Sequence, residues 1–221
     1  MGTLFSQNTL SVSLSIVWII IVIMLYKIVM TMAHYPISDV INNFMAYNSR
    51  YGFTSNFVKN LGISFKYSLC EFVVTIPFYL IGIGVIVGIG YLIALWSSFV
   101  AIIVGFGIMV VLVALKKSLL AFWLPHLIVT NGKIWQTFKE QFAFLKEKFV
   151  KIFGLYVMTN LLMFAFILFL GVFTFTVGWF VGYALCVVLC RIIDMVIYYR
   201  HMDHKYYIEP KTVIDAKSEI I

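Results

Sequence analysis

No charged residue occurs between positions 72 and 115, where the sequence is FVVTIPFYLIGIGVIVGIGYLIALWSSFVAIIVGFGIMVVLVAL. This stretch of 44 residues is about twice the length of roughly 20 residues that an apolar helix needs to cross a membrane. We therefore predict two antiparallel transmembrane helices here. Continuous apolar runs favour helices over the strands of a membrane barrel, in which apolar and polar residues alternate over segments of about ten.

Two further stretches, 1–26 and 152–190, also lack Asp, Glu, Lys and Arg. The first has room for one span and the second for two. The sequence thus predicts an all-α, polytopic transmembrane helix bundle, which forms a single integral membrane domain over residues 1–221. The five predicted spans cover residues 11–32, 65–91, 99–120, 152–173 and 175–198.

The composition excludes an ordinary soluble domain. Hydrophobic residues make up 63% of the chain and charged residues 11%, whereas soluble proteins are roughly half apolar and about one quarter charged. The net charge of +7 indicates attraction to anionic headgroups on the cytoplasmic side of a membrane. Nucleic acid is not expected as a partner.

With five spans, all 25 charged residues fall on one side of the membrane, in the blocks 27–71, 116–151 and 191–221. The positive-inside rule makes this side cytoplasmic, with the N-terminus outside and the C-terminus inside. A bacterial inner (plasma) membrane is the simplest location. A six-span alternative would place residues 33–60 and 116–151 on opposite sides, so five spans are favoured.

A sequence repeat occurs with an offset of 92 residues. The pattern His-x22-Phe-Val-Lys-x-x-Gly begins at His34 and again at His126. We predict a parallel internal repeat of span, interfacial helix and span, over residues 5–91 and 97–173. The fifth span and a cytoplasmic tail then occupy residues 174–221.

An amphipathic helix is predicted within each repeat. Ser38-Asp39 and Thr130-Asn131 are residue types that favour helix starts. In the second repeat, apolar residues then recur at three- and four-residue steps, which is typical of one apolar helix face: Ile134, Trp135, Phe138, Phe142, Leu145, Phe149 and Phe153. His34, His126 and Trp135 are therefore candidate residues of the membrane interface.

Small residues predict close helix packing at Gly84 with Gly88, and at Gly178 with Gly182. Both pairs have the four-residue spacing that places them on one face of a helix.

Four charged residues lie near the cytoplasmic ends of predicted spans: Lys27, Glu71, Arg191 and Asp194. Charges inside spans are candidate functional residues, because their burial in lipid is costly. The simpler interpretation is that they extend to the headgroups or pair locally, as the three-residue spacing of Arg191 and Asp194 allows. The alternative is a polar cluster at the inner mouth of a cavity, where Glu71 faces Arg191. No ionisable residue is predicted near the membrane midplane, which disfavours a proton relay.

No metal site, cofactor or catalytic residue is predicted. His201 and His204, with Asp203 between them, are too few ligands for structural zinc, which usually has four. The chain contains no glycine-rich phosphate loop, no nucleophile elbow and no carboxylate pair at hydrolase spacing.

The segment from Trp123 to Gly154, with Trp123-Leu-Pro-His126, Trp135-Gln-Thr-Phe138 and Phe149-Val-Lys-x-x-Gly154, resembles parts of uncharacterised bacterial polytopic membrane families. One of them is the membrane domain attached to some glycerophosphoryl diester phosphodiesterases. The resemblance implies spans joined by an amphipathic helix. It implies no catalytic residue, because the chemistry of that family belongs to a separate soluble domain.

Three functional hypotheses follow. The favoured one is a non-enzymatic accessory, assembly or scaffold subunit that acts through membrane lipids and other membrane proteins or self-association. The second is a small-solute transporter or channel built on the internal repeat, with Glu71, Arg191 and Asp194 at its inner gate. The third is an interfacial lipid-modifying enzyme that uses His126 or His201 as a base.

Overall fold

The computed structural model describes residues 2–47, 52–146, 148–174 and 177–205. In these ranges the chain forms helices and no strand, which confirms the all-α prediction. The helices are α1 (Gly2–Met32), α2 (His34–Tyr47), α3 (Phe53–Lys59), α4 (Leu61–Ala94), α5 (Ser98–Leu120), α6 (Trp123–Thr130), α7 (Ile134–Lys146), α8 (Phe149–Phe173) and α9 (Val177–His201).

Within the described ranges, five segments are long and apolar enough to cross a membrane, which confirms the predicted number of spans. They are based on α1, α4, α5, α8 and α9. Helix α4 has 34 residues and is about 50 Å long at about 1.5 Å per residue, so it exceeds the roughly 30 Å of the hydrocarbon core. Helix α4 begins at Leu61, whereas the predicted span begins at residue 65. The helix starts earlier because helical hydrogen bonding continues through the polar residues that precede the apolar run.

The long helices pack in the order α1, α4, α5, α8 and α9. Two tight hairpins, α4–α5 and α8–α9, join neighbours in this order. At the turn of the first hairpin, Ser97 Oγ accepts a hydrogen bond from the Val100 N–H at 3.5 Å and caps α5. Spans that follow one another along the chain are therefore neighbours in the structure.

Helices α2, α3, α6 and α7 pack together at one end of the bundle, which we call the charged end. Helix α2 contacts α6 and α9, and α7 contacts α5 and α6. The main apolar core lies at this end of the molecule. It combines residues of the short helices with the adjoining ends of the spans, such as Tyr35, Leu127 and Tyr156.

Helix α6 is the most buried element. Residues 121–128 are all buried, and Trp123 has an exposed fraction of 0%. The Trp123 ring contacts Tyr67 of α4 and Phe138 of α7, at centroid distances of 5.1 and 4.7 Å. Its Nε1–H donates to the Ile134 carbonyl at 3.0 Å. Helix α6 therefore joins a span to the short helices.

The predicted helix starts differ from those observed. Asn131 adopts the left-handed conformation with φ of 49° and ends α6, a role that asparagine tolerates better than most residues. Ser38 lies inside α2, which begins at His34. Helix α7 ends at Lys146, so Phe149 and Phe153 belong to α8.

The two glycine pairs occupy different environments. Gly178 and Gly182 are buried in the α8–α9 hairpin, where a Cβ atom on Gly182 would lie 3.2 Å from Leu170. A Cβ atom on Gly84 or Gly88 would meet no atom within 4 Å. The first pair therefore allows close approach of two helices within the chain, and the second lies on an open face of α4.

We predict that Gly178→Ala destabilises the α8–α9 hairpin, because its Cβ atom would lie 2.6 Å from the Leu170 carbonyl oxygen. Overpacking of this kind costs about 1–3 kcal/mol. The measurement is the free energy of unfolding in detergent micelles. Gly84→Ala is the matched control and should be neutral or slightly stabilising, since alanine favours helices. Equal losses in the two variants would contradict this packing.

Candidate functional site

Helix α4 presents a stripe of buried polar side chains to the interior of the bundle. Because an α-helix has 3.6 residues per turn, residues three and four apart lie on one face. The sequence analysis identified Glu71 and missed the rest of the stripe, although its three- and four-residue spacing within an apolar span was the available signal. The buried members are Ser64, Tyr67, Ser68, Glu71 and Thr75.

Arg191 and Asp194 form an ion pair on α9. The Arg191 Nη1 atom lies 3.1 Å from Asp194 Oδ2, and their side chains are 16% and 7% exposed. Asp194 also accepts a hydrogen bond from the Tyr156 hydroxyl of α8. The carboxylate therefore neutralises a buried cation and joins two spans.

Glu71 lies closest to a histidine from the short helices. Its Oε2 atom is 3.6 Å from His34 Nδ1, which is longer than a hydrogen bond. Arg191 and Lys27 interact with Glu71 electrostatically at longer range. The structure thus brings Lys27, Glu71, Arg191 and Asp194 into one region, but Arg191 pairs directly with Asp194.

Helix α5 adds two lysines to the same region. Lys117 Nζ donates to Asn160 Oδ1 of α8 at 2.8 Å and lies 3.2 Å from Cys190 Sγ of α9. Lys116 Nζ lies 5.1 Å from the centroid of the Tyr79 ring of α4, a cation–π geometry. We call the whole set the polar network: Lys27, His34, Tyr67, Glu71, Lys116, Lys117, Tyr156, Asn160, Arg191 and Asp194.

The polar network and the α4 stripe beside it retain hydrogen-bonding capacity. Thr75 Oγ1, Asn160 Nδ2 and Arg191 Nε are buried and have no hydrogen-bond partner among the described residues. A buried polar atom without a partner costs about 1–3 kcal/mol, and water commonly supplies the missing bond. The interior of the bundle therefore offers polar atoms to water or to a small polar solute.

His126 occupies a second polar site, on α6. Its Nδ1 atom lies 2.9 Å from the Tyr198 hydroxyl of α9, and its Nε2 atom lies 2.8 Å from Glu140 Oε2 of α7. Since a carboxylate only accepts, Nε2 is the donor. The hydrogen bonds from His126 and Gln136 hold the pKa of the Glu140 carboxyl below its usual value. His126 is 7% exposed and connects three helices.

The other candidate residues occupy different environments. Trp135 is 50% exposed on α7, whereas the His34 side chain is 13% exposed and belongs to the network. The His201 ring stacks on Phe122 at a centroid distance of 5.2 Å. Among the described residues, no group of three His, Cys, Asp or Glu side chains is placed to hold a metal ion.

Comparisons of the chain with protein-family models, with curated proteins and with solved structures gave no match. The resemblance to the phosphodiesterase-associated membrane domain therefore stays a prediction.

We predict that Asp194→Asn destabilises the protein by about 3 kcal/mol, because removal of one member of a buried ion pair leaves an uncompensated charge. The measurement is the free energy of unfolding in detergent micelles. The double variant Arg191→Gln with Asp194→Asn should recover part of the loss. Asp203→Asn changes an exposed carboxylate and is the control. A loss for Asp194→Asn no greater than that control would argue against the pairing.

Proposed function

We propose that this multi-pass membrane protein is a non-enzymatic accessory, assembly or scaffold subunit that acts through lipid and membrane-protein contacts. The observation that carries the proposal is the use of buried charges to join helices. Asp194 binds Arg191 and Tyr156, and Lys117 binds Asn160. Groups held in this way stabilise the arrangement of the spans.

The outer surface supports a role in membrane assembly. Only 6–28% of the residues in the most apolar window of each span are buried within the described chain. Gly84 and Gly88 lie open on α4, and small residues at this spacing allow another transmembrane helix to approach closely. A neighbouring membrane protein or a second copy of this chain would bury this face.

The element order supports the proposed internal repeat. Helices α1, α2, α3 and α4 follow the order span, short helix, short helix, span, and α5, α6, α7 and α8 follow it again. A repeat of two spans has the same orientation in both copies, as in transporters whose halves are related by an axis along the membrane normal.

A small-solute transporter or channel is the second candidate function. It is favoured by the buried polar atoms of Thr75, Asn160 and Arg191, which have no hydrogen-bond partner within the described part of the chain. Thr75 lies one turn from Glu71 on α4, and Arg191 of α9 interacts with Glu71 electrostatically. These groups would bind a polar solute that entered the bundle from the charged end.

The two candidates predict different bound species. We expect the protein, extracted into native-lipid nanodiscs, to retain a stoichiometric companion protein or a second copy, measured by mass spectrometry and by mass photometry. Gly84→Leu with Gly88→Leu should remove it, because the larger side chains block helix approach. Gly107→Leu is the control, since it lies on an open face of α5.

Other outcomes decide against the subunit proposal. A monomeric protein without a companion would overturn it. A retained small solute that is lost in Glu71→Gln, with folding and insertion intact, would favour the transporter. A companion that survives both glycine changes would keep the subunit proposal and exclude the Gly84–Gly88 face.

We also propose that the charged end faces the cytoplasm of a bacterial cell, with the N-terminus outside. The excess of basic residues at this end supports this orientation. In a variant without the native cysteines, a membrane-impermeant maleimide added to intact cells or spheroplasts should label Trp96→Cys. It should label Lys139→Cys only after permeabilisation. The reverse labelling would overturn the orientation, and labelling of both in intact cells would overturn the five-span topology.

A further inference from the structure

An apolar groove of about 580 Å³ lies between α8 and α9 at the charged end. Its walls include Leu155 of α8 and Ile193 and Val196 of α9. Lys148 and Lys151, at the start of α8, and Arg200, near the end of α9, also line it. The groove therefore combines an apolar wall with a basic rim.

The basic rim lies at the charged ends of two candidate spans, at the start of α8 and near the end of α9. Lys148, Lys151 and Arg200 are exposed, and no ion pair to another described residue occupies them. Leu155 follows Lys151 by four residues, and Val196 precedes Arg200 by four. At about 1.5 Å per residue, the apolar wall lies roughly 6 Å deeper than the cations. The order of cations and apolar wall matches a lipid leaflet, in which the acyl chains lie deeper than the headgroups.

We propose that this groove is a binding site for an anionic glycerophospholipid of the cytoplasmic leaflet. The phosphate binds Lys148, Lys151 and Arg200, and an acyl chain lies along Leu155, Ile193 and Val196. This inference rests on the proposed function and orientation, and it names the lipid class and the site.

The size, the charge and the apolar wall of the groove favour a lipid over other occupants. The groove volume falls within the roughly 300–1,000 Å³ of small-molecule sites, and basic pockets between spans on the cytoplasmic side bind anionic headgroups. The apolar wall distinguishes a lipid from free phosphate, and the three cations distinguish it from an apolar helix of another protein. The α8 start also lacks a side-chain cap, so its first N–H groups remain available at the same rim.

Native mass spectrometry of the purified full chain in detergent tests the site, with phosphatidylglycerol or phosphatidylcholine of identical acyl chains added. We expect one phosphatidylglycerol per chain, bound at least tenfold more tightly than phosphatidylcholine. Lys148→Gln, Lys151→Gln and Arg200→Gln together should weaken phosphatidylglycerol binding roughly 100-fold, which corresponds to about 1 kcal/mol per basic residue.

The matched charge control is Lys133→Gln, Lys139→Gln and Lys146→Gln, which removes three exposed cations of the α7 region and should leave binding unchanged. Lys148→Arg with Lys151→Arg and Arg200→Lys should also retain it. If the glutamine variant fails to fold, Val196→Trp provides an independent test. It should fill the groove and weaken binding, whereas Val188→Trp, elsewhere on α9, should not.

Several results would overturn the site. These are equal binding of the two lipids, an equal loss in the α7 control, no effect of Val196→Trp, or complete displacement of the lipid by excess inorganic phosphate. The last result would identify an ion site without an acyl-chain component. Because this measurement uses the purified chain, a companion protein found without lipid selectivity would refute the groove and keep the proposed function.

Discussion

A membrane interior solvates neither a free charge nor an unpaired peptide group, and this constraint explains most of the structure. Backbone groups are satisfied within long helices. Among the described residues, charged side chains gather toward one end of the bundle, and Arg191 is paired there with Asp194. The arrangement of the spans therefore depends on where ionised groups find partners.

The consequence is an uneven distribution of packing along the bundle. Near the charged end, α6 is buried between spans and short helices, and the aromatic contacts of Trp123 combine with the polar bonds of His126. Toward the opposite end, most side chains of the spans face outward, and close contacts concentrate in the α8–α9 hairpin at Gly178 and Gly182. The charged end is thus the most closely packed part of the described chain, whereas the remaining apolar surface is available to lipid and to other helices.

The polar network and the groove between α8 and α9 both lie at this closely packed end. In the network, Tyr156 binds Asp194 and Lys117 binds Asn160 across spans, whereas Arg191 pairs with Asp194 within α9. These bonds support the proposed structural role. At the groove, Lys148, Lys151 and Arg200 are exposed, and the proposed anionic lipid would supply their counter-charge. A subunit that holds both a lipid and a neighbouring helix would use the groove for the lipid and the Gly84–Gly88 face of α4 for the helix.

The number of spans, the all-α class and the separation of charges followed from the sequence, because a transmembrane helix forms from local hydrogen bonds and from the apolarity of about 20 consecutive residues. The proximity of Arg191 and Asp194 could also be predicted from the sequence, since residues three positions apart on a helix are neighbours. The tertiary structure decided the contact of His34 with Glu71, the bond between Lys117 and Asn160 across 43 positions, and the burial of His126. These contacts depend on the rotation and crossing of separate helices, which hydropathy leaves undetermined, because each apolar face packs about equally well against lipid or protein.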